Sequence, residues 1–289
     1  MTWLVLSILT AFSVASQDAW IKKHFSRLSL YEMAAYPLMY SLPLLLPAIL
    51  VIPVPPLDRT FAWSFAASLP LNGVSFFLYY RAVQLSPLSL TIPFLAFTPA
   101  FMIVTGAVFL GEMPNIWGIA GILFICLGCY LLNFDTEKLD FLLPFKAICR
   151  EPGSILMLTV SLIYSFAAVI GKLAILHSSP LFFTVGFFVC MDIVLIALLL
   201  LFRKMRMDRM IDQPVKGLIA GALLTAHIVF HGFAIALTPA AYMIAIKRLS
   251  ILFSLIYGVM FFGEVPKLLR IAGALLMFAG SGLISLKGG

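Results

Sequence analysis

Charge is what this chain has least of. Only 12 acidic and 19 basic residues occur among 289, or 11% charged, where soluble domains carry roughly a quarter. No polar stretch is long enough for a separate soluble domain. Cysteine is also scarce, at four residues. Cys126 and Cys129 form a C-x-x-C inside an apolar run, so no disulfide framework or redox motif is expected of them. No G-x-x-x-x-G-K-S/T segment occurs, which excludes a P-loop nucleotide site. A basic region before Trp3, which a secretory signal would need, is missing as well.

What replaces charge is apolar length. Hydrophobic residues make up 63% of the chain, with a mean hydropathy of +1.10. Crossing a hydrocarbon core of about 30 Å takes about 20 apolar residues. Such runs recur at 2–21, 32–52, 62–82, 88–110, 115–133, 154–175, 181–202, 216–237, 240–262 and 267–286. Stretches such as Ile193 to Phe202 are apolar on every side, unlike the alternating strands of a membrane barrel. Helices alone then satisfy the backbone in lipid. The expected fold is an all-α membrane protein of ten transmembrane helices.

The net charge of +7 does not indicate nucleic-acid binding, because the basic residues lie between spans. Fourteen of the 19 Lys and Arg fall in or beside the loops after odd-numbered spans, from Lys22, Lys23 and Arg27 to Lys267 and Arg270. The positive-inside rule places those loops in the cytoplasm and both termini outside.

The chain repeats itself. Gly111, Glu112 and Pro114 return as Gly263, Glu264 and Pro266; Gly121 and Gly128 return as Gly273 and Gly280; Ala82, Leu85 and Pro87 return as Ala234, Leu237 and Pro239. The offset is 152 throughout, the mark of a duplicated unit. The two units are 1–135 and 152–289, joined by a short polar linker at 136–151. Five spans is an odd number, so the halves are inverted repeats, a plan that transporters use to hold substrate near the midplane.

The 5 + 5 arrangement, the aromatic-x-x-Ala ahead of Ser/Thr-Pro, and the duplicated Gly-Glu-x-Pro junction resemble the EamA-type permeases of the drug/metabolite transporter superfamily. The resemblance covers essentially the whole chain. It implies a ten-helix basket around a central cavity lined chiefly by spans 1, 3, 4, 6, 8 and 9. Unlike the charge distribution, it implies cytoplasmic termini. It implies a multi-pass protein of the cell membrane, the inner membrane in a Gram-negative cell, and names no substrate.

Positions that break the repeat are candidates for substrate chemistry. Lys247 and Arg248 stand where the first half has Leu95 and Ala96. They lie roughly 12 Å into their span at the helical rise, a depth where cations are costly and mark function. Helical spacing places Lys247 with Met243, Ser250, Ser254, Tyr257 and Gly258, and turns Arg248 about 100° away. The segment 247–254 also resembles the ninth helix of the plastid-type phosphate translocators, whose Lys-Arg pair holds a phosphate. A buried structural ion pair is the alternative.

Other intramembrane polar groups are weaker candidates. Asp192 aligns with Tyr40 and is read either as Arg248's partner or as a proton carrier. His227 and His231 are one turn apart, but without a third ligand they read as hydrogen-bonding cavity residues rather than a zinc site. Gln17 and Asp18 lie late in the first span, where Asp18 either caps the cavity or is solvated. Lys172 ends its span, a place from which a lysine snorkels to the interface in preference to binding substrate. Glu112 and Glu264, followed by Pro114 and Pro266 at first-turn positions, are assigned to tight interhelical junctions. Pro93 and Pro99 have no counterparts in the second half; they remove backbone hydrogen bonds and should bend or break the fourth span.

These features describe a secondary transporter of a small polar metabolite, one bearing a carboxylate or phosphate, working by alternating access. Lys247, Arg248, Ser250, Ser254, Tyr257, His227 and His231 would hold the substrate. No catalytic residue, metal or cofactor is expected, the partners are the substrate and the bilayer, with proton or exchange coupling, and the protein is a monomer or homodimer. The rival transport reading is an exporter of zwitterionic amino acids or cationic drugs with Lys247 and Arg248 structural. An intramembrane enzyme would need a catalytic constellation that the spans do not compose. A receptor or assembly factor would need larger loops.

Overall fold

Apolar runs become helices wherever turn chemistry allows them to begin. The computed structural model describes residues 1–86, 91–132, 151–263 and 268–288. Helix α1 (Thr2–Phe25) leads to α2 (Leu30–Val51), which opens on a capping box: Ser29 Oγ accepts from Glu32 N, and Glu32 Oε2 accepts from Ser29 N at 3.0 Å. Helix α3 (Arg59–Leu85) is capped by Asp58, whose Oδ1 accepts from Phe61 N at 2.8 Å. That bond is the main reason the exposed Asp58 carboxyl is held below its usual pKa. A 3₁₀ stretch (Ile92–Phe97) precedes α4 (Thr98–Leu110), followed by α5 (Ile116–Leu132). The second half runs α6 (Pro152–Leu176), α7 (Pro180–Leu201), one turn at Met207–Met210, α8 (Pro214–Ala236), α9 (Ala240–Lys247), α10 (Ser250–Phe262) and α11 (Leu268–Lys287). Proline opens α6, α7 and α8, where its missing N–H costs nothing.

Among the described residues, nine helical spans are long and apolar enough to cross a membrane, and α5 is a shorter apolar tenth. The ten-span expectation is met. One face of the bundle carries the ends of α1, α7 and α10 and the start of α8, with Lys23 over Phe261, Lys204 over Tyr31 and Trp20 Nε1 donating to Lys216 O. This is the basic face. At the opposite, terminal face Asn115 Nδ2 donates to Lys287 O and so joins the two repeats, while Tyr242 OH donates to Gly288 O within the second.

Duplication is visible as packing. Helices α5 and α11 cross through four glycines: a Cβ on Gly121 would lie 2.6 Å from Gly280 O, and one on Gly128 would lie 2.5 Å from Gly273 O. The reverse approaches are 2.5 Å from Gly280 to Gly121 O and 2.7 Å from Gly273 to Gly128 O. Each pair is the 152-offset image of the other, so this crossing lies on the pseudo-two-fold axis. Helix α3 packs on α6 as α8 packs on α1, another mated pair.

The breaks are mated too, although the ninth span lacks the prolines of the fourth. The fourth span changes from 3₁₀ to α at Thr98, and the ninth changes at Ser250, 152 residues on. Both segments end at a left-handed glycine, Gly111 and Gly263, each at φ 65°. No proline enforces the second break. It is an overwound joint in which Arg248 N donates to Ala245 O (3.1 Å), Leu249 N to Ile246 O (2.9 Å) and Ile251 N to Arg248 O (3.1 Å).

Symmetry fails at one seam. Helix α2 lies against α8 because Gly217 and Gly221 leave room: a Cβ on Gly217 would meet the Tyr40 ring at 2.3 Å, and one on Gly221 would meet Tyr40 C at 2.2 Å. The mates of those glycines are Phe65 and Leu69. Phe65 holds α7 off at ring-centroid distances of 6.0 Å to Phe183 and 5.9 Å to Phe187. The bundle is therefore shut between α2 and α8 near the basic face and wider between α3 and α7 near the terminal face.

Replacing Gly121 or Gly273 by Ala should destabilise the purified protein by about 1–3 kcal/mol, the usual cost of overpacking. The control is Gly186→Ala, since a Cβ there meets nothing within 4 Å. Unfolding curves in detergent should separate the two groups.

Candidate functional site

A cavity of about 380 Å³ fills the wider half of the bundle, bounded by α3, α4, α6, α7, α8 and α9. Its polar lining comes from Ser68 and Asn72 of α3, Thr98 of α4, Tyr164 and Lys172 of α6, Thr184 of α7, His227 and His231 of α8, and Lys247 with Arg248 at the ninth-span joint. Phe183, Phe187 and Phe188 form an aromatic wall, the first two stacked at 5.2 Å and 16°. Among the described residues no acidic side chain lines this space. Span 7 thus contributes where span 1 was expected. Helix α1 lines instead a second cavity of about 200 Å³ near the basic face.

The overwound joint positions the two cations. Lys247 ends α9, and its ammonium has no hydrogen-bond or ion-pair partner among the described residues. Arg248 Nη2 donates to Thr98 Oγ1 at 3.0 Å, reaching from one joint to its mate. Thr98 spends its own proton on Leu95 O (2.8 Å), so Ser161 Oγ, 3.0 Å away, must donate to it. Arg248 Nε is buried and unpartnered, leaving a donor free.

The joint also redistributes the face read from helical spacing. Met243 is fully buried, Ser254 is exposed, and neither Ser250 nor Ser254 lines the large cavity. Tyr257 pairs with Ser16 at 2.8 Å in the second cavity. The structure brings Lys247, Arg248, His227 and His231 together and places Ser250, Ser254 and Tyr257 elsewhere.

The histidine rings are 6.2 Å apart, nearly perpendicular, and His231 Nδ1 is buried without a partner. Among the described residues no group of three or more His, Cys, Asp or Glu gathers as a metal site. Asp18 is exposed to open space yet within electrostatic reach of Lys247. Gln17 Oε1 is buried and unpartnered. Asp192 does not pair with Arg248: it is fully buried against α2, 2.6 Å from Ser41 Oγ.

Lys172 does not snorkel. It is 3% exposed and forms an ion pair with Glu112 while donating to Thr238 O at 2.5 Å. Glu112 Oε2 also accepts from Ala240 N at 2.8 Å, at the start of α9. One carboxylate thus ties the ends of spans 4 and 6 to the start of span 9 at the terminal end of the cavity. Pro114 is buried but precedes the helix cap: Asn115 Oδ1 accepts from Gly118 N at 2.8 Å and caps α5. Glu264 and Pro266 lie outside the described residues.

Sequence reasoning missed Tyr164, Thr184 and the aromatic wall, which apolar spans conceal. Asn72 carried a signal, being an amide within the third span.

Comparison with known proteins agrees with this architecture. The model of the EamA-like transporter family matches residues 1–134 and again 151–286. One solved crystal structure superimposes with a TM-score of 0.74, covering 99% of this chain and 96% of its own at 14% identity, a likeness of fold. No curated protein matches the chain.

Removing one partner of a buried ion pair strands the other charge, at about 3–5 kcal/mol. Glu112→Gln should therefore lower unfolding stability on that scale. Combining it with Lys172→Met should recover most of the loss.

Proposed function

This chain belongs to the EamA-like transporter family, and from that premise we propose that its large cavity binds a small polar metabolite through an anionic group and passes it across the membrane by alternating access. Membership makes it a multi-pass membrane transporter of small molecules; the anion and the mechanism are the further step. The observation that supports them is the charge of the lining among the described residues: Lys247 without a hydrogen-bond or ion-pair partner, Arg248 with a free buried donor, two histidines, and no carboxylate.

A carboxylate or phosphate would accept from Lys247, a mobile point charge, and from the guanidinium fork of Arg248. His231 and Asn72 would contact the rest of the molecule. The seams suggest how access alternates. Inverted repeats let one half adopt the arrangement of the other, so closing α3 on α7 while α2 leaves α8 would turn the cavity toward the basic face. The joints at Thr98 and Ser250 would absorb the bending. A zwitterion is the second reading, supported by Asp18 standing near Lys247.

Purified wild type and Lys247→Ala should be melted with inorganic phosphate, succinate, phosphoenolpyruvate, phenylalanine and choline. A ligand at 100 times its Kd stabilises by about 2.7 kcal/mol. We expect one of the anions to raise the wild-type Tm and to leave Lys247→Ala unmoved. Stabilisation by choline, or equal stabilisation of both proteins, would overturn the anion reading. A phenylalanine shift lost in both Lys247→Ala and Asp18→Asn would establish the zwitterion.

A further inference from the structure

The seam between α2 and α7 holds a carboxyl group that substrate binding does not use. Asp192 is fully buried, and Asp192 Oδ2 lies 2.6 Å from Ser41 Oγ. Ser41 Oγ is also 2.8 Å from Leu38 O. A hydroxyl has one proton, so Ser41 cannot donate to both oxygens. Both contacts are satisfied together when Asp192 is a neutral acid that donates to Ser41 Oγ while Ser41 donates to Leu38 O.

The remaining surroundings favour that state. Asp192 Oδ1 is buried with no partner. An ionised carboxylate would have one donor at most, deep in a bilayer where lone charges are very costly. The titratable groups on packed helices are engaged elsewhere. Tyr40 of α2 donates to Met210 O. His227 and His231 of α8, and Tyr164 and Lys172 of α6, face the cavity. Tyr79 and Tyr80 of α3 lie in electrostatic reach of Asp18 rather than Asp192.

Position ties this acid to the closed seam. A Cβ on Gly221 would lie 2.6 Å from Ser41 N, so Ser41 is itself part of the α2–α8 contact. Parting α2 from α8 would move Ser41, which makes the only side-chain hydrogen bond of Asp192 among the described residues, and would admit water from the basic face.

We propose that Asp192 is a proton-binding site coupled to the transport cycle: the neutral acid belongs to the conformation closed between α2 and α8, and the proton leaves to water when that seam opens. The step breaks the Asp192 O–H bond and transfers H⁺ to water, leaving the carboxylate hydrated in the opened seam. This rests on the transporter reading for its purpose, though not for its chemistry. A ligand bound more tightly by one of two states shifts the population toward it, so low pH favours the conformation described and high pH the other.

Two measurements on the full chain in detergent or liposomes test this without substrate. Infrared difference spectra of wild type minus Asp192→Asn at neutral pH should show a carboxylic-acid C=O band that moves in D₂O and shifts in Ser41→Ala. In a background with Cys126, Cys129, Cys149 and Cys190 replaced, Ala168→Cys places a thiol in the cavity. Its labelling by a methanethiosulfonate reagent added at the terminal face should fall several-fold as pH rises, although thiol ionisation alone would speed it. With Asp192→Asn added, which mimics the neutral acid, labelling should rise with pH instead. No acid band, or the same pH profile with and without Asp192, overturns the proposal. Neither readout depends on anion binding, so the two readings fail separately.

Discussion

Four glycines on the two-fold axis are the constraint on which the rest of the bundle depends. In hydrocarbon no hydrophobic effect drives helices together, so association needs close backbone approach. Gly121, Gly128, Gly273 and Gly280 provide it, with any added Cβ 2.5–2.7 Å from an opposing carbonyl oxygen. The crossing sets the register between the repeats. The mated packings of α3 on α6 and α1 on α8 share the same axis, as do the joints at Thr98 and Ser250.

The cavity lies in departures from that axis. Gly217 and Gly221 let α2 close on α8, whereas Phe65, the mate of Gly217, holds α7 away from α3. The difference makes a cavity in one half of the membrane and a sealed seam in the other. The cations depart similarly. Arg248 sits at a joint whose mate carries alanine, and it reaches across to Thr98 at the other joint. An anion held there, as proposed, would touch both joints at once.

Much of this was legible in sequence because membrane spans announce themselves by length and the repeat by its constant offset. Lys247 and Arg248 stood out because cations inside apolar runs are costly. What stayed hidden depended on partners distant in sequence. Lys172 looked like a snorkelling residue until folding brought Glu112, 60 residues earlier, against it. The ninth-span joint had no proline to betray it, so a straight-helix projection put Ser254 and Tyr257 beside Lys247 when overwinding turns them away. Phe183 and Phe187 are indistinguishable from lipid-facing residues in an all-apolar span. In sequence Asp192 reads equally as a partner for Arg248 or as a proton carrier, and only Ser41 on α2 reveals its surroundings.

The unequal joints bear on why the two halves share one chain. Two identical half-chains assembled about the same axis would present the joint twice, bringing two lysines and two arginines into one chamber. Mutual repulsion among four cations would add to the expense of drying each one. Covalent fusion removes that penalty, since one copy can keep Leu95 and Ala96 while the other diverges. A single-chain pair of repeats is thus the arrangement in which a polarised chamber can exist inside a symmetric shell.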